Sequence, residues 1–222
     1  MTAANRVLLA SNNQKKLEEL RRILTPIVPG VEVLGLADVA AYEEPAETEP
    51  TFEGNALLKA RAALAATGLP SLADDSGLCV DALNGMPGVL SARWSGRAKD
   101  NHANNLLLLG QLADVPGERR GATFVAAVAF CRPDGSGGVI DEVVRGEMRG
   151  SVIRELRGTG GFGYDVLFQP DGYDRTTAEL SIEEKDAISH RGKSLRAIAR
   201  RALPRWLIAS FSSIDSSAVV RS

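Results

Sequence analysis

The spacing of apolar positions along the chain changes several times, and each change marks a predicted element. Arg6 to Ala10 reads as a short buried strand, followed by the polar loop Ser11, Asn12, Asn13 and Gln14. Leu17, Leu20, Ile23, Leu24 and Ile27 then share one side of a 3.6-residue period, which predicts a helix ended by Pro29 and Gly30. Val31 to Leu36 reads as the next strand. An acidic, proline-punctuated loop from Asp38 to Pro50 leads to a helix opened by Thr51, with Phe52, Leu57, Ala60 and Leu64 facing inward. A third apolar run breaks at Asp74, Asp75, Ser76 and Gly77, where a strand ending in a glycine turn is expected. This alternation of strand and helix argues for an α/β sheet with its ligand in the crevice at the strand ends.

After a helix predicted from Lys99 to Leu112, the pattern changes to two long alternating runs. Ala122 to Cys131 and Val139 to Met148 read as a hairpin, joined by a turn rich in proline, aspartate and glycine. A short strand around Ser151 to Ile153, a glycine loop, the strand Val166 to Phe168 and two helices complete the chain. Ser181 with Glu184 forms a capping box for the first of these helices, and Pro204 interrupts or ends the second.

Composition narrows the class. With 222 residues, 44% of them hydrophobic, the chain can bury one sizeable core, as one domain or as a larger and a smaller lobe. Residues 1–210 are expected to form the folded domain, and the serine-rich segment 211–222 a mobile tail. Lys and Arg number 26 against 28 Asp and Glu, a net charge of -2, which gives no broad basic field for a nucleic-acid polymer. No run approaches a membrane span, the N-terminus does not read as a signal peptide, and a cytoplasmic setting is expected. Cys79 and Cys131 read as buried thiols, not as a disulfide framework.

Four clusters carry candidate chemistry. Asp74 and Asp75 are adjacent carboxylates whose mutual repulsion a divalent ion such as Mg2+ can compensate; a turn with solvated acids is the alternative. Glu43, Glu44, Glu47, Glu49 and Glu53 supply further carboxylates that can join them. The loop Ser11 to Lys16 precedes a helix N-terminus, which attracts phosphate, but lacks the glycines and Gly-Lys-Ser/Thr ending of a Walker loop. Asn55 and Lys59, four residues apart, share a helix face from which Lys59 can reach phosphates. Gly158 to Asp165 combines dense glycine with Phe162 and Tyr164, suited to a backbone approaching a flat base and a ring stacking on it; a wide turn with core aromatics is the alternative. Lys185 and the run Ser189, His190, Arg191, Gly192, Lys193 place donors in a turn between helices, where His190 can also be an ordinary core histidine.

Taken together, Ser11/Asn13/Lys16 and the runs TFEGNALLKA, ADDSGL, PGVLSARWSG, GTGGFGYD and SHRGK occur in one order that resembles the inosine triphosphate pyrophosphatase family, over about residues 6–205. The resemblance implies an elongated mixed sheet flanked by helices in two lobes with the active-site cleft between them. It further implies a homodimer and Mg2+-dependent hydrolysis of XTP, ITP and dITP to monophosphate and pyrophosphate. Asp75 matches the family's proton acceptor and metal-associated aspartate, and Glu47 its metal-binding glutamate. Ser11, Asn12, Asn13, Gln14, Lys15, Lys16 and Lys59 match its triphosphate contacts, while Ser76, Phe162, Gly163, Tyr164, Asp165, Lys185, His190 and Arg191 match its nucleotide and base contacts. Asn12 and Lys15 depart from glycines common in the first loop, and Val166 from a proline common after GYD. A pyrophosphatase for other modified or ordinary nucleotides, and a nucleotide-binding sensor without turnover, are the competing readings.

Overall fold

The computed structural model describes residues 6–96, 100–203 and Trp206. Strands β1 (Arg6–Leu9), β2 (Glu32–Leu34), β3 (Ser71–Val80), β4 (Gly121–Pro133), β5 (Val139–Val152) and β6 (Phe168–Pro170) make one sheet in the order β2-β1-β3-β4-β5-β6. β1 runs parallel to β2 and β3, and the remaining pairs are antiparallel, so the sheet is mixed. Helices α1 (Gln14–Leu24), α2 (Phe52–Thr67), α3 (Asn101–Gln111), α4 (Ile182–Ile188) and α5 (His190–Arg201) flank it.

Successive side chains on a strand point to opposite faces, and the core divides accordingly. Val7, Leu9, Leu72, Val128 and Phe130 pack with α1 and α5, whereas Leu8, Ala10, Ala73, Ala127 and Ala129 pack with α2. The inward residues of α2 include Ala56, Ala60 and Ala63, all fully buried, and such small side chains let the helix lie close to the sheet; Leu57 is only partly buried. A third cluster, around Leu78, Leu108, Phe124 and Phe168, fills the far end under α3. Side-chain caps start the helices: Asn13 accepts from Lys16 N–H, Thr51 from Gly54 N–H and Asp100 from His102 and Ala103 N–H.

Several boundaries differ from the sequence reading. α1 stops at Leu24, because Pro26 has no N–H to continue the ladder, while Ile27 still packs against the core from the following turn. The strand expected at Ser151 is the end of β5, and that expected from Val166 begins at Phe168. Lys99, Pro204 and the 211–222 tail lie outside the described residues. The largest correction concerns Asp74 to Gly77, which is no turn. β3 passes straight through it, with Asp74 opposite Val128, Asp75 opposite Ala127 and Gly77 opposite Val125. Gly77 serves close packing: a Cβ there would lie 2.4 Å from both Gly88 O and Ser91 Oγ of the 3-10 helix Gly88–Arg93.

Candidate active site

A gap in the sheet makes the site. β1 pairs with β3 only at Leu8–Ser71 and Leu9–Leu72, so β3 runs on beyond the end of its parallel neighbour. Along the stretch of edge that β1 leaves unpaired, the loop after β1, the N-terminus of α1, α2 and the start of α5 converge on a cavity of about 610 Å³. Such a crevice at strand ends, where the sheet changes direction, is where α/β folds place ligands.

Because Asp74 and Asp75 are consecutive strand residues, they leave the sheet on opposite faces. Asp74, on the α1 and α5 side, meets Lys16 Nζ at 3.1 Å and Arg191 Nε at 3.1 Å, and Arg191 is held in turn by Glu19 at 2.7 Å. Burial alone would raise the Asp74 pKa, but Lys16, Arg191 and Lys59 bring it far below the carboxylate range. Burial lowers Lys16, and Glu19 and Asp74 hold the deeply buried Arg191 in its charged form. Breaking such a buried pair by removing one partner costs about 3–5 kcal/mol.

Asp75, on the α2 side, accepts from Asn55 Nδ2 at 3.1 Å and from Ser76 N–H at 3.1 Å. Lys59, one turn beyond Asn55, donates to Glu47 Oε1 at 3.1 Å and to Asp74 O at 2.9 Å, and lies 3.6 Å from Asp75 Oδ1. Arg93 takes the other oxygen of Glu47 at 2.7 Å. Burial raises the Asp75 pKa, the Glu47 charge adds to the rise, and Lys59 only partly opposes it. Lys59 also shifts upward, because three carboxylates outweigh its burial; the two ends of the pair move the same way for different reasons. At Glu47, Lys59 and Arg93 overcome burial and keep the carboxyl ionised.

These oxygens fit a hard divalent cation. Glu47 and Asp75 face a shared space across Lys59, and Mg2+ is typically held by one or two carboxylates together with water and substrate phosphates. No group of three or more His, Cys, Asp or Glu suited to a metal occurs among the described residues. Asp74 leaves β3 on the other face and does not line the cavity, whereas Glu47 and Asp75 both do, which makes Glu47 and Asp75 the better donor pair.

The opposite end of the cavity is aromatic. Lys15, Lys185 and Arg191 stand 5.9, 5.6 and 5.5 Å from the Phe162 ring centroid, and Lys15 Nζ donates to Gly161 O at 3.0 Å. Asp165 accepts from Phe162 N–H at 2.8 Å, Thr177 Oγ at 2.8 Å and Lys185 Nζ at 2.5 Å, pinning the glycine loop. Gly161 has φ +70, and a Cβ there would lie 2.1 Å from Asp165 Oδ2, so this position requires glycine. Tyr164 Oη donates to Ser91 O at 2.9 Å and so ties the loop to the 3-10 helix. His190 is buried and stacks flat on Phe124, with ring centroids 4.8 Å apart. Burial, aided by Arg191 and Lys185, lowers its pKa well below the ordinary value, and its Nδ1 has no hydrogen-bond partner among the described residues.

Of the residues singled out from sequence, Ser11 to Lys16, Glu47, Lys59, Asp75, Ser76, Phe162 to Asp165, Lys185, His190 and Arg191 all line this cavity; Asp74 stands behind it. Glu44 joins the lining, whereas Glu53 turns outward to Arg145. Arg93, Glu19 and Phe124 carried no assignment in the sequence reading. Arg93 sat in a quoted run, and only the fold shows its partner. Lys16 had a visible signal, since it falls on the apolar side of α1, one turn before Leu20.

Comparison with known proteins agrees with this geometry. The profile of the Ham1 family matches residues 7–201. A dITP/XTP pyrophosphatase from Nocardia farcinica is 62% identical over 197 residues, spanning 88% of this chain and 93% of its own length. The crystal structure of a nucleoside-triphosphatase / dITP/XTP pyrophosphatase from Mycobacterium abscessus is 56% identical, with TM-score 0.71 over 87% of this chain and 98% of that one. The structure of the Staphylococcus aureus Ham1 protein superimposes with TM-score 0.78 at 37% identity, over 88% and 96%. With a matched profile that runs from β1 to the end of α5 and relatives alike over nearly their full length, the chain belongs to the Ham1 family.

Proposed function

We propose that this protein is a nucleoside triphosphate pyrophosphohydrolase that converts ITP, dITP and XTP to the monophosphate and pyrophosphate, keeping these non-standard purine nucleotides out of DNA and RNA. The observation that carries the reading is one cavity with two unlike ends: buried cations and carboxylates at one, and Phe162 with fixed donors at the other. The activity in the names of the similar proteins agrees with it.

In this reading Lys16, Lys59 and the N-terminus of α1 hold the phosphates, and Lys59 stabilises charge on the departing pyrophosphate. Asp75 takes the proton from the attacking water as general base. Glu47 and Asp75 would hold Mg2+, which when bound neutralises phosphate charge and polarises the scissile anhydride. Purine choice follows from hydrogen bonding at C6. Lys185 is a donor only, so it accepts the 6-oxo group of hypoxanthine or xanthine and leaves the 6-amino group of adenine unpaired. Each such mismatch costs about 1–3 kcal/mol, roughly ten- to hundredfold. Residues 1–210 acting as one catalytic domain, a homodimer and a cytoplasmic setting belong to the same proposal.

Pyrophosphate release from ITP, XTP, ATP and GTP, each with Mg2+ and with excess EDTA, tests it. Metal-dependent release with kcat/KM for ITP about a hundredfold or more above ATP is expected. Comparable values would overturn this account of the base end. Saturable ITP binding without release would favour the inactive sensor.

A further inference from the structure

The ammonium of Lys59 sits between Glu47 and Asp75, the two carboxylates that would hold a divalent cation. It lies 3.1 Å from Glu47 Oε1, 3.6 Å from Asp75 Oδ1 and 2.9 Å from Asp74 O, three oxygens on two elements of the fold. Arg93 closes the other side of Glu47 at 2.7 Å. Across the whole cluster, Lys16, Lys59, Arg93 and Arg191 face Glu19, Glu47, Asp74 and Asp75, so four positive charges meet four negative ones. A neutral cluster of this kind offers a lone divalent ion little net attraction, because every carboxylate it would use already has a cation in contact.

We propose that Lys59 is a placeholder cation, which together with Arg93 neutralises Glu47 and Asp75 until a metal–triphosphate complex arrives, so that the metal enters with the nucleotide and not alone. The inference rests on the reading of the cavity as a triphosphate site. The incoming phosphates supply the anionic partner that Lys59 needs once it gives up the carboxylates, and its flexible four-carbon stem allows the move. The carboxylates stay where they are. Asn55 Nδ2 holds Asp75 Oδ2, and Glu49 N–H donates to Asn55 Oδ1 at 3.0 Å, which fixes that amide in the donating orientation. Binding order thus follows from charge balance: metal alone meets a compensated site, whereas the metal–nucleotide complex brings both the cation for the carboxylates and the anion for the lysine.

Mn2+ alone, titrated into the nucleotide-free protein and read by electron paramagnetic resonance, tests this. Wild type is expected to bind Mn2+ weakly, and Lys59→Met about tenfold or more tightly, because the carboxylates lose their built-in cation. Lys59→Arg should stay weak, and Arg93→Met, which frees only Glu47, should gain less. Equal affinity in wild type and Lys59→Met would overturn the proposal. A second measurement needs no variant: adding an ITP analogue with a non-hydrolysable α,β bridge should tighten Mn2+ binding to wild type about tenfold or more, beyond Mn2+ binding to the analogue itself. No tightening would likewise overturn it. Pyrophosphate release from ITP by the same wild-type preparation separates the two levels. If release is seen but the Mn2+ pattern fails, the placeholder falls alone; if no nucleotide is hydrolysed, the catalytic reading falls, and Mn2+ binding still decides the role of Lys59.

Discussion

The two ends of the cavity are built differently. The proposed phosphate end stands on regular elements: Asp74 and Asp75 lie mid-strand in β3, Lys16 in the first turn of α1, Asn55 and Lys59 on α2, and Arg191 at the start of α5. Its side chains are buried and mutually paired, so charge is fixed before any ligand arrives. The base end stands on a loop, where Phe162 is placed by positive-φ glycines, by Asp165 and by the reach of Lys15 and Lys185. In the proposed function, chemistry that depends on sub-ångström placement of charge sits on strands and helices, while shape recognition sits on a loop that a few hydrogen bonds hold in form.

The sharpest way to break this comparison is to split the adjacent aspartates. Asp75→Asn should lower kcat by about a hundred- to ten-thousandfold while keeping nucleotide binding, since it removes a base. Asp74→Asn should show itself mainly as lost stability of about 3–5 kcal/mol, since it strands Lys16 and Arg191 in the interior. Steady-state kinetics and denaturant unfolding of the two variants test this, and near-wild-type turnover in Asp75→Asn would remove that residue from the mechanism. A smaller effect is expected at the other end. Gly161→Ala introduces about 1–3 kcal/mol of backbone strain and pushes on the Asp165 carboxylate, so the preference for ITP over ATP should fall about tenfold. Unchanged discrimination would show that the loop does not set base choice.

The smallest effect concerns pH. His190 has a folded pKa depressed below its ordinary value, chiefly by burial and then by Arg191 and Lys185, with Asp74 opposing. As pH falls below about 6.5, the unfolded chain takes up a proton that the folded chain refuses. Stability is therefore lost with falling pH, by at most about 1.4 kcal/mol per unit for this one group. Melting curves between about pH 7 and 5 should fall more steeply for wild type than for His190→Gln. Parallel curves would mean that His190 titrates normally in the fold.

The sequence by itself determined much of this protein. Apolar spacing located α2, the β4–β5 hairpin and the capped C-terminal helices, and the ordered motifs brought together almost every residue that lines the cavity. It could not decide what the run ADDSGL becomes. Asp, Ser and Gly favour turns locally, yet a strand forms because β4 pairs with the whole segment and the 3-10 helix 88–93 crowds Gly77 from the side. That tertiary choice sends two adjacent carboxylates to opposite faces, one into a structural ion cluster and one into the proposed reaction site. It also brings Glu47, Arg93 and Lys59 together across long separations in the chain. Local pattern carries periodicity and propensity, whereas the partner of a charge is fixed only when distant segments pack, so which cation each of these carboxylates meets was legible only in the folded structure.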